Sequence, residues 1–133
     1  RVLPNFASKI KSKSPLKIYG DGRQTRTFCY ITDAITGLFK VILDGKKGEV
    51  YNIGNPSPEV SILDIVQSIQ QVLKRDIPFE VIQYPESYPS DEPHRRCPDI
   101  QKAKDEINYS PEINFNEGLK RFLTWTDANY EGK

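Results

Sequence analysis

The sequence predicts an α/β fold, because helical and extended patterns alternate along its 133 residues. Three observations carry that reading. Apolar residues recur at helical spacing in several segments, short β-prone runs such as "LKIYG" and "PFEVIQY" lie between them, and glycine or proline marks most joints.

Residues 1–13 read as an amphipathic helix with Leu3, Phe6, Ala7 and Ile10 on one face. Ser14-Pro15 ends it, since the residue before proline is pushed out of the helical region. "LKIYGDG" is a short strand running into a turn at Gly20-Asp21-Gly22, and "TFCYI" is a second strand. A helix opened by Thr32 or Asp33 follows, with Ile35, Leu38, Phe39 and Ile42 on one face. Gly45 and Gly48 close it and release "EVYNIGN", which reads as a buried strand before a proline loop. Ser61 and Asp64 form a capping box, and Ile62, Ile65, Val66, Ile69 and Leu73 stripe the helix behind it. "PFEVIQY" is the next strand. A loop from Pro85 to Pro98 leads to a short helix capped by Asp99 and ending at Ile107. The last helix opens on Asn114 and Glu117 and aligns Leu119, Phe122, Leu123 and Thr126, and the chain is expected to fray past residue 127.

Size and composition exclude several functions. A chain of 133 residues suits one domain with a single core. Its net charge of +1 supplies no basic face for nucleic acid. No apolar run reaches the length of a membrane span, and no signal-peptide pattern opens the chain. Cys29 and Cys97 stand far apart, without metal spacing and with a single histidine in the chain, so no metal site is expected. Such sparse cysteine fits a reducing cytoplasm. The chain opens inside a helical pattern at Arg1 and contains no methionine, so a piece of a longer protein is expected.

Catalytic groups are few. There is no GxGxxG or Walker turn, no Tyr-x-x-x-Lys pair and no supported Ser-His-Asp set. His94 reads as a surface residue and Cys29 as a buried structural thiol. Cys97 lies near arginines able to lower a thiol's pKa, but nothing else marks it as reactive. The arginines say more. Lys17, Arg23 and Arg26 surround the glycine turn, and Arg95 and Arg96 sit in "SDEPHRRCPDI". A guanidinium makes two parallel charge-assisted bonds to phosphate oxygens, so two of them suit a nucleotide diphosphate. Charge spacing alone leaves a solvated surface as the other reading.

Five motifs in order, "RVLPNF", "IYGDGRQTRTFCYITD", "YNIGNP", "DEPHRRCPDIQKAK" and "YSPEINFNEGLKRF", give the chain its likeness. It resembles the C-terminal half of the extended short-chain dehydrogenase/reductase family, with UDP-glucuronate decarboxylases and dTDP-glucose 4,6-dehydratases as the nearest members. The resemblance implies that residues 1–133 form a small substrate-binding α/β domain lacking the NAD-binding Rossmann domain that carries the catalytic Tyr and Lys. It implies that Arg26 contacts the nucleotide diphosphate and that Lys17 through Gln24, including Tyr19, line the uridine side. Ser61 falls where dehydratases place a polar residue at the nucleotide. Arg96 matches the arginine of a DxPxxRxPD pattern, which faces substrate and is a proposed proton donor in some decarboxylases. Arg1 matches an arginine near the cofactor.

The implied parent is a cytoplasmic, homodimeric, NAD-dependent enzyme acting on a UDP- or dTDP-sugar. It oxidises the sugar at C4, expels CO2 or water and returns the hydride. This chain alone is then expected to be inactive and to bind no NAD. The absent Rossmann domain is expected to leave an apolar patch exposed around Leu3, Phe6 and Ile10. The alternative is a stand-alone, non-catalytic nucleotide-sugar-binding or interaction module.

Overall fold

Helix α1 spans Val2–Lys11 in the computed structural model, which describes residues 2–86 and 93–129. Lys13 follows at φ 54, and the Ser14 amide donates to the Lys9 carbonyl, closing the helix ahead of Pro15. Strand β1 (Leu16–Tyr19), β2 (Thr25–Arg26) and α2 (Ile31–Asp44) come next. Strand β3 (Val60–Ser61) runs directly into α3 (Ile62–Leu73), followed by β4 (Phe79–Ile82), β5 (Arg95–Arg96), α4 (Gln101–Ile107) and α5 (Phe115–Asn129). The class is mixed α/β. Where length suggested one core, the chain divides into two compact units.

The first unit holds Arg1–Thr25, Val60–Arg95 and Leu119–Lys133. Strands β1 and β4 pair in parallel, with Leu16 opposite Phe79 and Tyr19 opposite Ile82. Side chains alternate across a strand. Leu16 and Ile18 are therefore buried while Lys17 between them is exposed. Phe79 and Val81 share the face of their partners Leu16 and Ile18 but stay exposed, so β4 lies at the margin of this core. Further core residues come from the α3 stripe (Ile62, Ile65, Val66 and Ile69) and from Leu119 and Leu123 of α5. The predicted capping box holds: the Asp64 amide donates to Ser61 Oγ at 3.0 Å, and the Ser61 amide donates to Asp64 Oδ2 at 2.9 Å. Phe6 is buried at 2% exposure and Leu3 and Ile10 are half-buried, so the patch expected on α1 is largely covered.

The second unit holds Arg26–Glu59 and Arg96–Gly118. Its core is Ile100, Ala103, Ile107 and Tyr109, with Val41, Tyr51 and Ile53 packed against them. The Tyr109 hydroxyl donates to the Gly54 carbonyl at 3.0 Å, and Asp33 Oδ2 accepts from the Ile113 amide at 2.9 Å. Asn114 Oδ1 accepts from the Glu117 amide at 3.0 Å, as expected, but the N-cap of α4 is Ile100, without a side-chain cap; Asp99, one residue earlier, accepts from the Gln101 amide instead. Helix α5 continues to Asn129, past the point where fraying was expected.

Three expectations fail here, each for a physical reason. The "TFCYI" run, residues 27–31, is not a strand among the described residues: β2 stops before it at Arg26, and its last residue, Ile31, already opens α2. The "EVYNIGN" segment is not a strand among the described residues; a strand needs a neighbour to take its backbone bonds. Side chains tie it instead, with Asn52 Nδ2 donating to the Asp99 carbonyl at 2.9 Å. Helix α2 starts at Ile31, without a side-chain cap, and its larger apolar residues face outward. Ile35, Leu38, Phe39 and Ile42 are 45–66% exposed, while Asp33 and Gly37 are buried and Val41 is half-buried. Asp33, Gly37 and Val41 stand four residues apart and share the opposite stripe. Gly37 lets that stripe approach closely: a Cβ there would sit 2.8 Å from the Tyr109 ring.

Candidate functional site

Two of the expected anion-binding residues, Arg26 and Arg96, lie on the neighbouring strands β2 and β5. Three two-residue strands ladder in the order β3-β2-β5. Within the first unit the Thr25 amide donates to the His94 carbonyl at 2.7 Å. Within the second, the Thr27 amide donates to the Arg96 carbonyl at 3.2 Å. Both bonds point the same way and advance by two residues on each strand, the pattern of a parallel pair. Arg26 is thereby set level with the Arg95-Arg96 dipeptide. Successive strand residues face opposite sides, so only one of those two shares a face with Arg26. Arg26 is half-buried and Arg95 and Arg96 are exposed, and all three carry further contacts. Two prolines, Pro93 and Pro98, flank β5 and deny it a longer ladder.

The remaining predicted residues lie in the first unit. Lys17 pairs with Glu80 across β1 and β4 at 3.8 Å, an exposed pair of small energetic worth. The Tyr19 ring stacks on Tyr84 with centroids 5.9 Å apart. Gln24 Nε2 donates to the Tyr19 carbonyl at 2.9 Å and to Tyr84 Oη at 3.1 Å. Gly20 sits at φ 71 beneath this stack, where a Cβ would come within 2.7 Å of the Tyr84 ring. Tyr84 was not singled out in the sequence, and no spacing rule would have joined it to a turn 60 residues away. Ser61 spends its hydroxyl on the α3 cap, donating to Asp64 Oδ2 at 2.7 Å. That bond holds the Asp64 carboxyl below its ordinary pKa. Arg1 lies outside the described residues.

Both thiols are half-buried, where Cys29 was expected to be buried. Cys29 Sγ is 3.6 Å from Tyr109 Oη, and burial raises its pKa. Burial also lifts the Tyr109 hydroxyl above the usual phenol range, helped by the Cys29 contact. Cys97 Sγ donates to the Pro56 carbonyl at 3.4 Å. Among the described residues no group of three or more His, Cys, Asp or Glu could hold a metal ion, and no helix is long and apolar enough to cross a membrane.

Residues 1–54 match the model of the NAD dependent epimerase/dehydratase family. UDP-glucuronic acid decarboxylase 1 of Arabidopsis thaliana is 36% identical over 124 residues, which is 93% of this chain and 27% of that protein. UDP-N-acetyl-alpha-D-glucosaminuronate decarboxylase of Bacillus cytotoxicus is 33% identical over 129 residues, 93% of this chain and 39% of that one. Among solved structures, UDP-glucuronic acid 4-epimerase from Bacillus cereus, in complex with UDP-glucuronic acid and NAD, superposes with TM-score 0.87 at 31% identity. The match covers 98% of this chain and 40% of that chain. A dTDP-glucose 4,6-dehydratase from Bacillus anthracis, in complex with NAD, gives TM-score 0.86 at 26% identity over the same shares. The chain thus spans well under half the length of these relatives.

Proposed function

For a chain that belongs to the NAD dependent epimerase/dehydratase family, in its extended short-chain dehydrogenase/reductase branch, we propose the role of sugar-nucleotide-binding portion of a UDP-sugar decarboxylase or dehydratase. One observation carries the proposal: β2 and β5 bring Arg26 level with Arg95-Arg96 in the chain's fold. Two guanidinium groups at one ladder suit the two negative charges of a nucleoside diphosphate, because each can bind phosphate oxygens in bidentate fashion. Arg26 and Arg96 are both assigned to the diphosphate, Arg96 at the phosphate that carries the sugar. Lys17, Tyr19, Gln24 and Ser61 are the proposed nucleotide contacts of the first unit.

Two features of the second unit support its being part of a larger enzyme. Helix α2 presents an apolar stripe with nothing over it among the described residues, and the β-prone segment 49–55 has no neighbouring strand. Both suit docking against a further domain.

The relatives' cofactor does not fit these residues. A dinucleotide pyrophosphate is seated at a glycine-rich turn between a strand and a helix N-terminus. Here the turn with Gly20 and Gly22 leads to strand β2, and the junction from β3 into α3 contains no glycine. We assign no NAD contact and no hydride step to these residues.

Calorimetric titration of the chain with UDP tests the proposal. Hydrogen bonds to charged groups contribute about 1.5–3 kcal/mol, so Arg26→Ala is expected to weaken binding by roughly tenfold or more. Equal affinity for the parent chain and the variant would overturn it.

A further inference from the structure

Away from all these residues, the first unit contains a cleft of about 550 Å³ between α1, α3 and α5. That volume falls within the roughly 300–1,000 Å³ usual for small-molecule sites. Its apolar lining includes Ala7, Ile10, Val72, Leu73 and Leu123. Four cations also line it, Lys11, Lys13, Arg75 and Lys120, against a single carboxylate, Asp127. Lys11 is committed to that carboxylate: its Nζ lies 3.6 Å from Asp127 Oδ1 and donates to the Asp127 carbonyl at 2.7 Å. Lys13, Arg75 and Lys120 are exposed and make no ion pair among the described residues.

Part of this charge answers the helices themselves. Lys11 and Lys13 stand at the C-terminus of α1 and Arg75 just beyond that of α3, where cations offset the macrodipole. With the last turn of α5, which lines the cleft through Thr126 and Asp127, three helix C-termini carry the equivalent of about 1.5 negative charges. Three unpaired cations exceed that by about 1.5 charges. Lys120, in the first half of α5, has no such helix end to answer. An excess of about +1.5 beside an apolar wall matches a phosphate monoester, which carries about −1.5 to −2 near neutral pH.

We infer that this cleft binds a small phosphate monoester with an apolar or aromatic body, at a site separate from Lys17, Tyr19, Gln24, Ser61, Arg26 and Arg96. The phosphate meets Arg75, Lys13 and Lys120, and the apolar body lies against Leu73, Ile10 and Leu123. Binding there is salt-sensitive and needs both halves of the ligand.

Amide chemical-shift mapping of the 15N-labelled chain with 1-naphthyl phosphate tests the inference. Saturable shifts are expected at Ala7, Leu73, Leu123 and their neighbours, weakening as salt rises from about 50 to about 200 mM. The double variant R75E/K120E changes two exposed residues, and its affinity is expected to fall by about tenfold or more with the remaining spectrum intact. Should that variant lose its native spectrum, Lys120→Ala read by the same titration is expected to weaken binding several-fold. 1-Naphthol and inorganic phosphate alone should each bind at least about tenfold more weakly than the joined probe. Shifts confined to α2 or to the β2–β5 region, or an affinity unchanged in the charge-altered variants, would overturn the inference. UDP binding that fails while naphthyl phosphate still maps to this cleft would count against the proposed function alone.

Discussion

Ser61 and Asp64 show how a local pattern becomes a stability term. Each satisfies the other's amide at the start of α3, and the Ser61 hydroxyl donates to the carboxylate. Ser61→Ala should destabilise the chain by about 1 kcal/mol, within the usual range for losing an N-cap. Urea denaturation of both forms measures this. The same contact has a pH signature. The Asp64 carboxyl titrates below its ordinary value in the folded chain because the Ser61 bond favours the ionised form. Its contribution is therefore present above the unfolded pKa, about 3.9, and lost as pH falls through the depressed folded pKa. Ser61→Ala should flatten the loss of stability in that acid window, and an unchanged acid limb would contradict the assignment. This box was legible because it needs only residues three apart. Tyr84, by contrast, joins Gln24 and Tyr19 across 60 or more positions, and nothing local announces it.

Helix α2 marks the limit of periodicity at the scale of elements. Its spacing shows that an apolar stripe exists, but not what covers it. The unit buries the stripe of Asp33, Gly37 and Val41, because Gly37 admits the Tyr109 and Ile53 side chains. Gly37→Ala should therefore destabilise by about 1–3 kcal/mol through overpacking, despite alanine's better helix propensity. A variant as stable as the parent in thermal unfolding would contradict that packing. The outer stripe behaves oppositely. Leu38→Ser and Leu43→Ser alter residues 57% and 77% exposed, so each should change unfolding free energy by no more than about 0.5 kcal/mol. Together they should reduce the self-association that so large an exposed apolar face invites. Light scattering across a concentration series reads this, and unchanged association would show that another surface is responsible. Segment 49–55 failed as a strand for a related reason: β-propensity describes fitness for a sheet, and the sheet must come from elsewhere.

At the scale of the whole molecule, the α/β class was legible because helical and extended periods differ, whereas the division into two units was not. Three of the four unit boundaries cut β2, β5 and α5 between consecutive residues, inside elements where a sequence reading expects continuity; the fourth, Glu59–Val60, follows the proline stretch Pro56 to Pro58. The arginines were legible as residue types suited to phosphate, but their adjacency depends on β2 and β5 finding each other across 70 positions. That adjacency is the centre of the functional account, and side-chain NMR tests it most directly. In a chain labelled at arginine Nε and titrated with UDP, the Arg26 and Arg96 resonances should both shift along one binding curve, and uridine should leave them unmoved. Shifts in only one of the two, or equal shifts with uridine, would contradict a diphosphate site built on that pair.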